Sequence, residues 1–143
     1  MLNELRVGEF LAALGERTPT PASGAATALT GALAAGLTEL AARFAGDEDA
    51  VVRAKAALMR LVELADEDAE AYSAFMADRN ETTRARIIAV PKEIAAQADD
   101  VAALAEGVRA QLRSSVAGDA EAAAELARAA ARVARRLAEL NDA

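Results

Sequence analysis

Apolar positions recur at three- and four-residue spacing along nearly the whole chain, and nowhere do they alternate in twos. Leu58, Leu61, Val62, Ala65, Ala69 and Tyr72 trace one such face, the pattern of a helix whose apolar stripe meets a core. Asn3 is placed to cap a first helix over about 4–15, with Leu5, Phe10 and Leu14 as core anchors and Gly15 as its stop. Pro19 and Pro21 then hold an extended connector, because each biases the residue before it away from helix. A second helix is predicted from Ser23, as N-cap, to Ala45, with Gly46 as its stop. Asp47 caps a third, which reaches about Asp78. The stretch DRNETT (78–83) interrupts the pattern, and a fourth helix starts at Thr82 or Thr83 and runs to about Leu112. Pro91 lies inside it and is expected to kink or divide it by removing a backbone donor. After a turn at 114–118, a last helix runs from Asp119 to about Leu140. Helices joined by short loops fold back on one another, so the predicted fold is all-α, an up-and-down bundle of about five helices.

The 143 residues suffice for one domain with a single core, taken as 1–143. Apolar residues make up 54% but aromatics only 3%, so alanine, leucine and valine must carry the burial, which reinforces the helical reading. Charge narrows the partners. A net −7 with no basic run argues against nucleic acid. The chain has no cysteine and no histidine, which removes disulfides, thiolate or imidazole metal sites and histidine-dependent triads. No cofactor or metal is expected, and acid–base chemistry falls to Asp, Glu, Lys, Tyr or water. The charged N-terminus lacks a signal-peptide core and the alanine-rich stretches carry too many charges for a membrane span, so a soluble, cytoplasmic protein is expected.

The second helix carries small residues on one face: Gly24, Ala28, Gly31 and Ala35, with Ala32 and Gly36 beside them. Glycine inside a helix costs about 1 kcal/mol relative to alanine, so another backbone is expected to come close there. That neighbour is either a helix of the same chain or a second subunit in a homodimer.

Several motifs occur in collinear order: Val7, Phe10 and Leu11 in one helix, Pro19-Thr20-Pro21 before the next, and Ala28 through Leu37 within it. Asp68, Ala71 and Tyr72 follow in DEDAEAY, Val90-Pro91 in AVPKEIA, Asp119 in GDAEAAAELARAAARVA, and Asn141 near the end. This set resembles the formiminotransferase-cyclodeaminase C-terminal family, which includes formiminotetrahydrofolate cyclodeaminases and methenyltetrahydrofolate cyclohydrolases. The chain departs from the family pattern at Ala22-Ser23-Gly24, where members carry three glycines, and at Ala25, where they carry serine. The segment between Tyr72 and Val90 is also short.

The resemblance implies action on a one-carbon-substituted tetrahydrofolate, a helical fold and a homodimer. It implies Asp68 and Asp119 as catalytic carboxylates, and Pro21, Ser23, Gly24, Arg84 and Asn141 as substrate-binding residues; for Arg84 the basis is neighbourhood alone, shared with Arg79 and Arg86. Each has an ordinary structural reading beside it. Asp119 follows Gly118 and reads as an N-cap; Asp68 stands among Asp66, Glu67 and Glu70 and reads as a solvated face; Asn141 reads as a C-cap. Arg132, Arg135, Arg136 and Glu139 read as exposed pairs. The competing class is a non-catalytic scaffold or binding module of the same descent, which the lost glycines favour.

Overall fold

Four long helices close into an up-down-up-down ring; the computed structural model describes residues 1–113 and 115–143. A 3-10 turn at Leu2–Glu4 and a short α1 (Val7–Gly15) precede them, followed by α2 (Ser23–Ala45), α3 (Glu48–Ala77), α4 (Glu81–Arg109) and α5 (Val116–Asp142). Each long helix packs on the next, α5 returns to α2, and α2 also touches α4 across the middle. Among the described residues there is no strand.

Alanine dominates the interior. All the buried residues of α5 are alanines, eight of them from Ala120 to Ala138. The largest fully buried side chains come mainly from α3 and α4: Leu61, Leu64, Ile94, Val101 and Val108. Small side chains let helix axes approach to the short end of the usual 8–10 Å, and alanine adds the strongest helix propensity. The small-residue face of α2 is used in the same way within the chain. Gly31 lies against Leu61 of α3, where an added Cβ would stand 3.2 Å from Leu61 Cδ1, and Ala28 and Ala35 are fully buried. That stripe is therefore an intrachain contact. By length and composition α2 could cross a membrane, but more than half of its apolar stretch is buried inside the bundle.

Punctuation proved reliable at some ends and not at others. Gly46 stops α2 in the left-handed region, at φ 69°, and Asp47 caps α3 by accepting the Ala50 N–H at 3.0 Å. Ser23 is instead the first helical residue, and Ala22 holds the N-cap position without a side-chain cap. Asn80 caps α4, which starts at Glu81, one or two residues earlier than expected, and shares reciprocal hydrogen bonds with Thr83. The last helix begins at Val116, so Asp119 sits in its first turn and is not the N-cap; Ser114, at the start of the predicted turn, lies outside the described residues. The first helix is split, because Arg6 caps α1 and the Glu9 carboxylate accepts the Arg6 N–H at 2.8 Å. None of the residues of α1 is buried and Leu5, ahead of it, is exposed, which corrects the reading of Leu5, Phe10 and Leu14 as core anchors.

Pro91 does not divide α4. Proline removes the donor that would serve the carbonyl four residues back, here that of Ile87. Asn141 fills the gap from α5, donating its Nδ2–H to the Ile87 carbonyl at 2.7 Å.

Candidate functional site

The end of the bundle where α2 starts and α3 finishes holds the most unusual carboxylate in the chain. Four acids crowd residues 66–70. The Asp66 carboxylate accepts the Leu2 N–H at 2.8 Å, Glu67 pairs with Arg60 at 2.7 Å, and Glu70 pairs with Arg86 at 3.4 Å. Asp68 alone has no hydrogen-bond or ion-pair partner among the described residues. It is half-buried against the first turn of α2, and burial pushes its carboxyl up from 3.8 to about 6. An unpaired carboxylate loses solvation without gaining a counter-charge, so the neutral acid is favoured.

Gly24 makes this placement possible. A Cβ there would overlap the Asp68 carboxyl group. The glycine serves a close approach rather than a turn, since its backbone is helical. Because Ala22 supplies no side-chain cap, the first N–H groups of α2 are free of a capping side chain, the arrangement that favours a bound anion or carbonyl oxygen. Pro21, half-buried and joined to Thr20 by a cis peptide bond, and exposed Ser23 flank the same turn.

The up-and-down topology brings Pro21, Ser23, Gly24, Asp68, Arg84 and Asn141 to one end of the bundle. Arg84 Nη2 donates to the carbonyls of Asp142 and Ala143, at 3.1 Å each, and Asn141 is held by Ile87. Both therefore join the start of α4 to the end of α5. Of the other arginines there, Arg79 lies over the Phe75 ring at 5.4 Å and Arg86 pairs with Glu70. Asp119 belongs to the opposite end, where Ala120 clusters with Ala41 and Ala42 near the finish of α2. At 1.5 Å per helical residue this is about 30 Å from Asp68 along the bundle axis, so one chain does not bring the two aspartates together.

Two features near the site were not read from the sequence. Arg60 clamps α3 to α4, donating to Glu93 at 2.6 and 2.9 Å and to Glu67 at 2.7 Å; the pairing with Arg60 holds Glu93 below the usual carboxylate range. No local signal links positions 33 apart. The Asn141 contact did have a signal, since a proline inside a helix names the carbonyl it orphans. Among the described residues no cluster of three or more acidic groups is placed to hold a metal ion. Chemically, the site offers one proton acceptor poised near neutrality beside uncapped backbone donors.

Residues 6–142 match the sequence profile of the family described as formiminotransferase-cyclodeaminase. Among solved structures, the chain is similar to the formiminotetrahydrofolate cyclodeaminase of Thermotoga maritima, at 27% identity and a TM-score of 0.90. The similarity covers 99% of this chain and 80% of that one. No curated protein sequence matches.

Proposed function

Since the chain belongs to the formiminotransferase-cyclodeaminase family, we propose that it binds and converts a one-carbon-substituted tetrahydrofolate at the α2–α3 end of the bundle, as a cytoplasmic enzyme with Asp68 as its proton-transfer group. The observation that carries this reading is the unpartnered Asp68 carboxyl, seated on Gly24 with its pKa at about 6. In deamination, N10 of a 5-formimino-tetrahydrofolate attacks the formimino carbon, closing the ring. The formimino nitrogen enters protonated, as =NH2+; the proton lost from N10 goes to Asp68 and is returned to that nitrogen, which departs as ammonia and leaves the methenyl cation. In the hydrolytic variant water adds to the methenyl carbon and Asp68 takes one of its protons, passing it to the ring nitrogen N5 as the N5–carbon bond breaks; the second proton leaves to solvent as the formyl carbonyl forms. A carboxylate titrating near 6 is mostly ionised at neutral pH, and its conjugate acid is strong enough to protonate a leaving amine.

The turn at Pro21, Ser23 and Gly24 would receive the pterin, with α2 backbone donors facing its polar edge. The remaining guanidinium donors of Arg84 would meet the glutamate tail. Asp119 can join this chemistry only from a second chain, given its distance within one. Activity is followed through the absorbance of the methenyl bridge with 5-formimino- or 5,10-methenyl-tetrahydrofolate. Asp68→Asn should lower kcat by at least ~100-fold, and the wild-type rate should fall as pH drops through about 6, the value of the Asp68 carboxyl. Unchanged turnover in Asp68→Asn would remove the residue from the reaction.

A second reading, a ligand-binding scaffold without turnover, is favoured by Ala22 and Ser23 standing where the family carries glycines. It predicts a calorimetric binding signal with either folate and a methenyl band that stays constant.

A further inference from the structure

The face of α3 that packs on α2 does not end where α2 ends. Leu61, Ala65, Asp68 and Tyr72 follow one another at steps of four, three and four, which keeps them on one side of the helix. Two contacts fix that side and its register. Gly31 lies against Leu61, and Gly24, seven residues earlier, lies against Asp68, seven residues later. The two helices run antiparallel, so one more turn along α3 carries Tyr72 level with Thr20, beyond the start of α2 at Ser23. Leu61 and Ala65 are fully buried. Tyr72 continues their stripe past the helix they pack on and is only half-buried, like Thr20 and Pro21 in the turn it reaches.

Its partners set it apart from the other aromatic residues, three phenylalanines. Phe10 belongs to α1 and Phe44 to the far end of α2, while Phe75 lies under the Arg79 guanidinium at 5.4 Å. Tyr72 has no ring contact, ion pair or hydrogen bond among the described residues. Its hydroxyl still meets solvent, since Asp66 Oδ2 is the one sealed side-chain polar atom left unpaired among those residues. A tyrosine that only filled the core would ordinarily find a partner for that hydroxyl.

We infer that Tyr72 is a ligand-binding residue of the Asp68 site, and that its ring stacks on the planar heterocycle of the ligand, the pterin of the folate proposed above. The inference rests on that folate reading. One helical turn, about 6 Å, separates Tyr72 from Asp68 along α3, so ring and carboxyl stand side by side on one face. Asp68 then serves the reacting carbon bridge while Tyr72 holds the fused ring next to it. A ring that stacks on a planar heterocycle contributes through its face, and the uncapped N–H groups at the start of α2 supply the polar contacts at the heterocycle's edge. Such a contact is made alike by substrate and transition state, so its loss falls on binding and not on the chemical step.

The chain holds a single tyrosine, so ring-labelled tyrosine gives NMR signals from Tyr72 alone. The wild-type chain is titrated with 5-formyltetrahydrofolate by calorimetry and by NMR of that ring, whose protons should move upfield as ligand saturates the site. Tyr72→Leu, with helical circular dichroism unchanged, should raise the calorimetric Kd by ~10-fold, whereas Tyr72→Phe keeps the ring and should stay within ~3-fold of wild type. With 5,10-methenyltetrahydrofolate as substrate, the same loss should appear in KM, with kcat held within ~2-fold. Binding heat with an unmoved ring signal, or a Tyr72→Leu variant that binds as tightly as wild type, would overturn the role of Tyr72 and leave the folate reading standing. A loss in Tyr72→Phe equal to that in Tyr72→Leu would assign the contact to the hydroxyl and overturn the stacking. No binding heat from the wild-type chain would overturn both readings.

Discussion

At the scale of single residues, the difference between Asp68 and its acidic neighbours is one of partners. A run of Asp, Glu, Asp and Glu within five positions reads as solvated surface, and three of those acids do find donors: Asp66 the Leu2 N–H, Glu67 the Arg60 guanidinium two turns back on α3, and Glu70 the Arg86 guanidinium of α4. Whether the fourth found one could not be read from the sequence, because partners come from elsewhere in the fold. Its raised pKa has a consequence for stability. The folded value of about 6 lies above the ordinary 3.8, so the acid's contribution is fully present below about pH 4 and is lost as pH rises through 6. Allowing for partial exposure, the ionised form costs the folded chain ~2 kcal/mol at neutral pH. Asp68→Asn should therefore gain stability relative to wild type on going from pH 4 to pH 7, by ~2 kcal/mol in urea unfolding. A pH-independent difference would show that the carboxyl is not raised. Gly24→Ala is the converse experiment. Its new Cβ displaces the carboxyl toward solvent, at a net cost of ~1–2 kcal/mol once the helix propensity of alanine is credited. Carbon-detected NMR titration of the Asp68 carboxyl should then give a value below 6.

At the scale of elements, the helices were legible wherever a local rule fixed them. Gly46 and Asp47 act on their own backbone neighbours, so the junction of α2 and α3 lies where the pattern put it. The misplaced starts have a common cause. Asn3, Ser23 and Asp119 are all good capping types, but a cap is decided by which residue leaves the helical backbone conformation, and a nearby polar residue does not force that choice. Pro91 shows a local rule answered at long range. The sequence predicts a break because proline withholds a donor, and α4 continues because Asn141, 50 residues on in α5, supplies one to Ile87. Asn141→Ala should cost ~1–3 kcal/mol by leaving a half-buried carbonyl unpaired. In a Pro91→Ala background the backbone regains its own donor, so the same substitution should cost less. A coupling of at least ~0.5 kcal/mol in the double-mutant cycle is expected; strict additivity would show that Asn141 acts elsewhere. The same hydrogen bond gives Asn141 a structural role at the site end of the bundle.

At the scale of the molecule, composition was the most informative signal for architecture and the least informative for assembly. An alanine-rich chain with few aromatics has one economical solution, closely approached helices, and the small face of α2 is spent on exactly that contact within the chain. The exposed apolar side of α2, with Leu33, Leu40 and Phe44, was hidden in the sequence, since leucines at helical spacing look the same whether they face a core or solvent. That side bears on the two aspartates. Asp68 sits beside the start of α2, and Asp119 lies near its finish through the contacts of Ala120. Two copies paired antiparallel along α2 would bring the Asp119 end of one beside the Asp68 end of the other. If the proposed site draws one carboxylate from each chain, Asp68→Asn and Asp119→Asn each lose turnover alone. Unfolded together and refolded as a mixture, half of the dimers combine the two variants, and each of these rebuilds one intact site. The expected recovery is about a quarter of the wild-type rate, by random two-fold assembly. Full activity in Asp119→Asn alone would instead confine that residue to the first turn of α5, where its charge offsets the helix dipole, and would leave Asp68 to act without it.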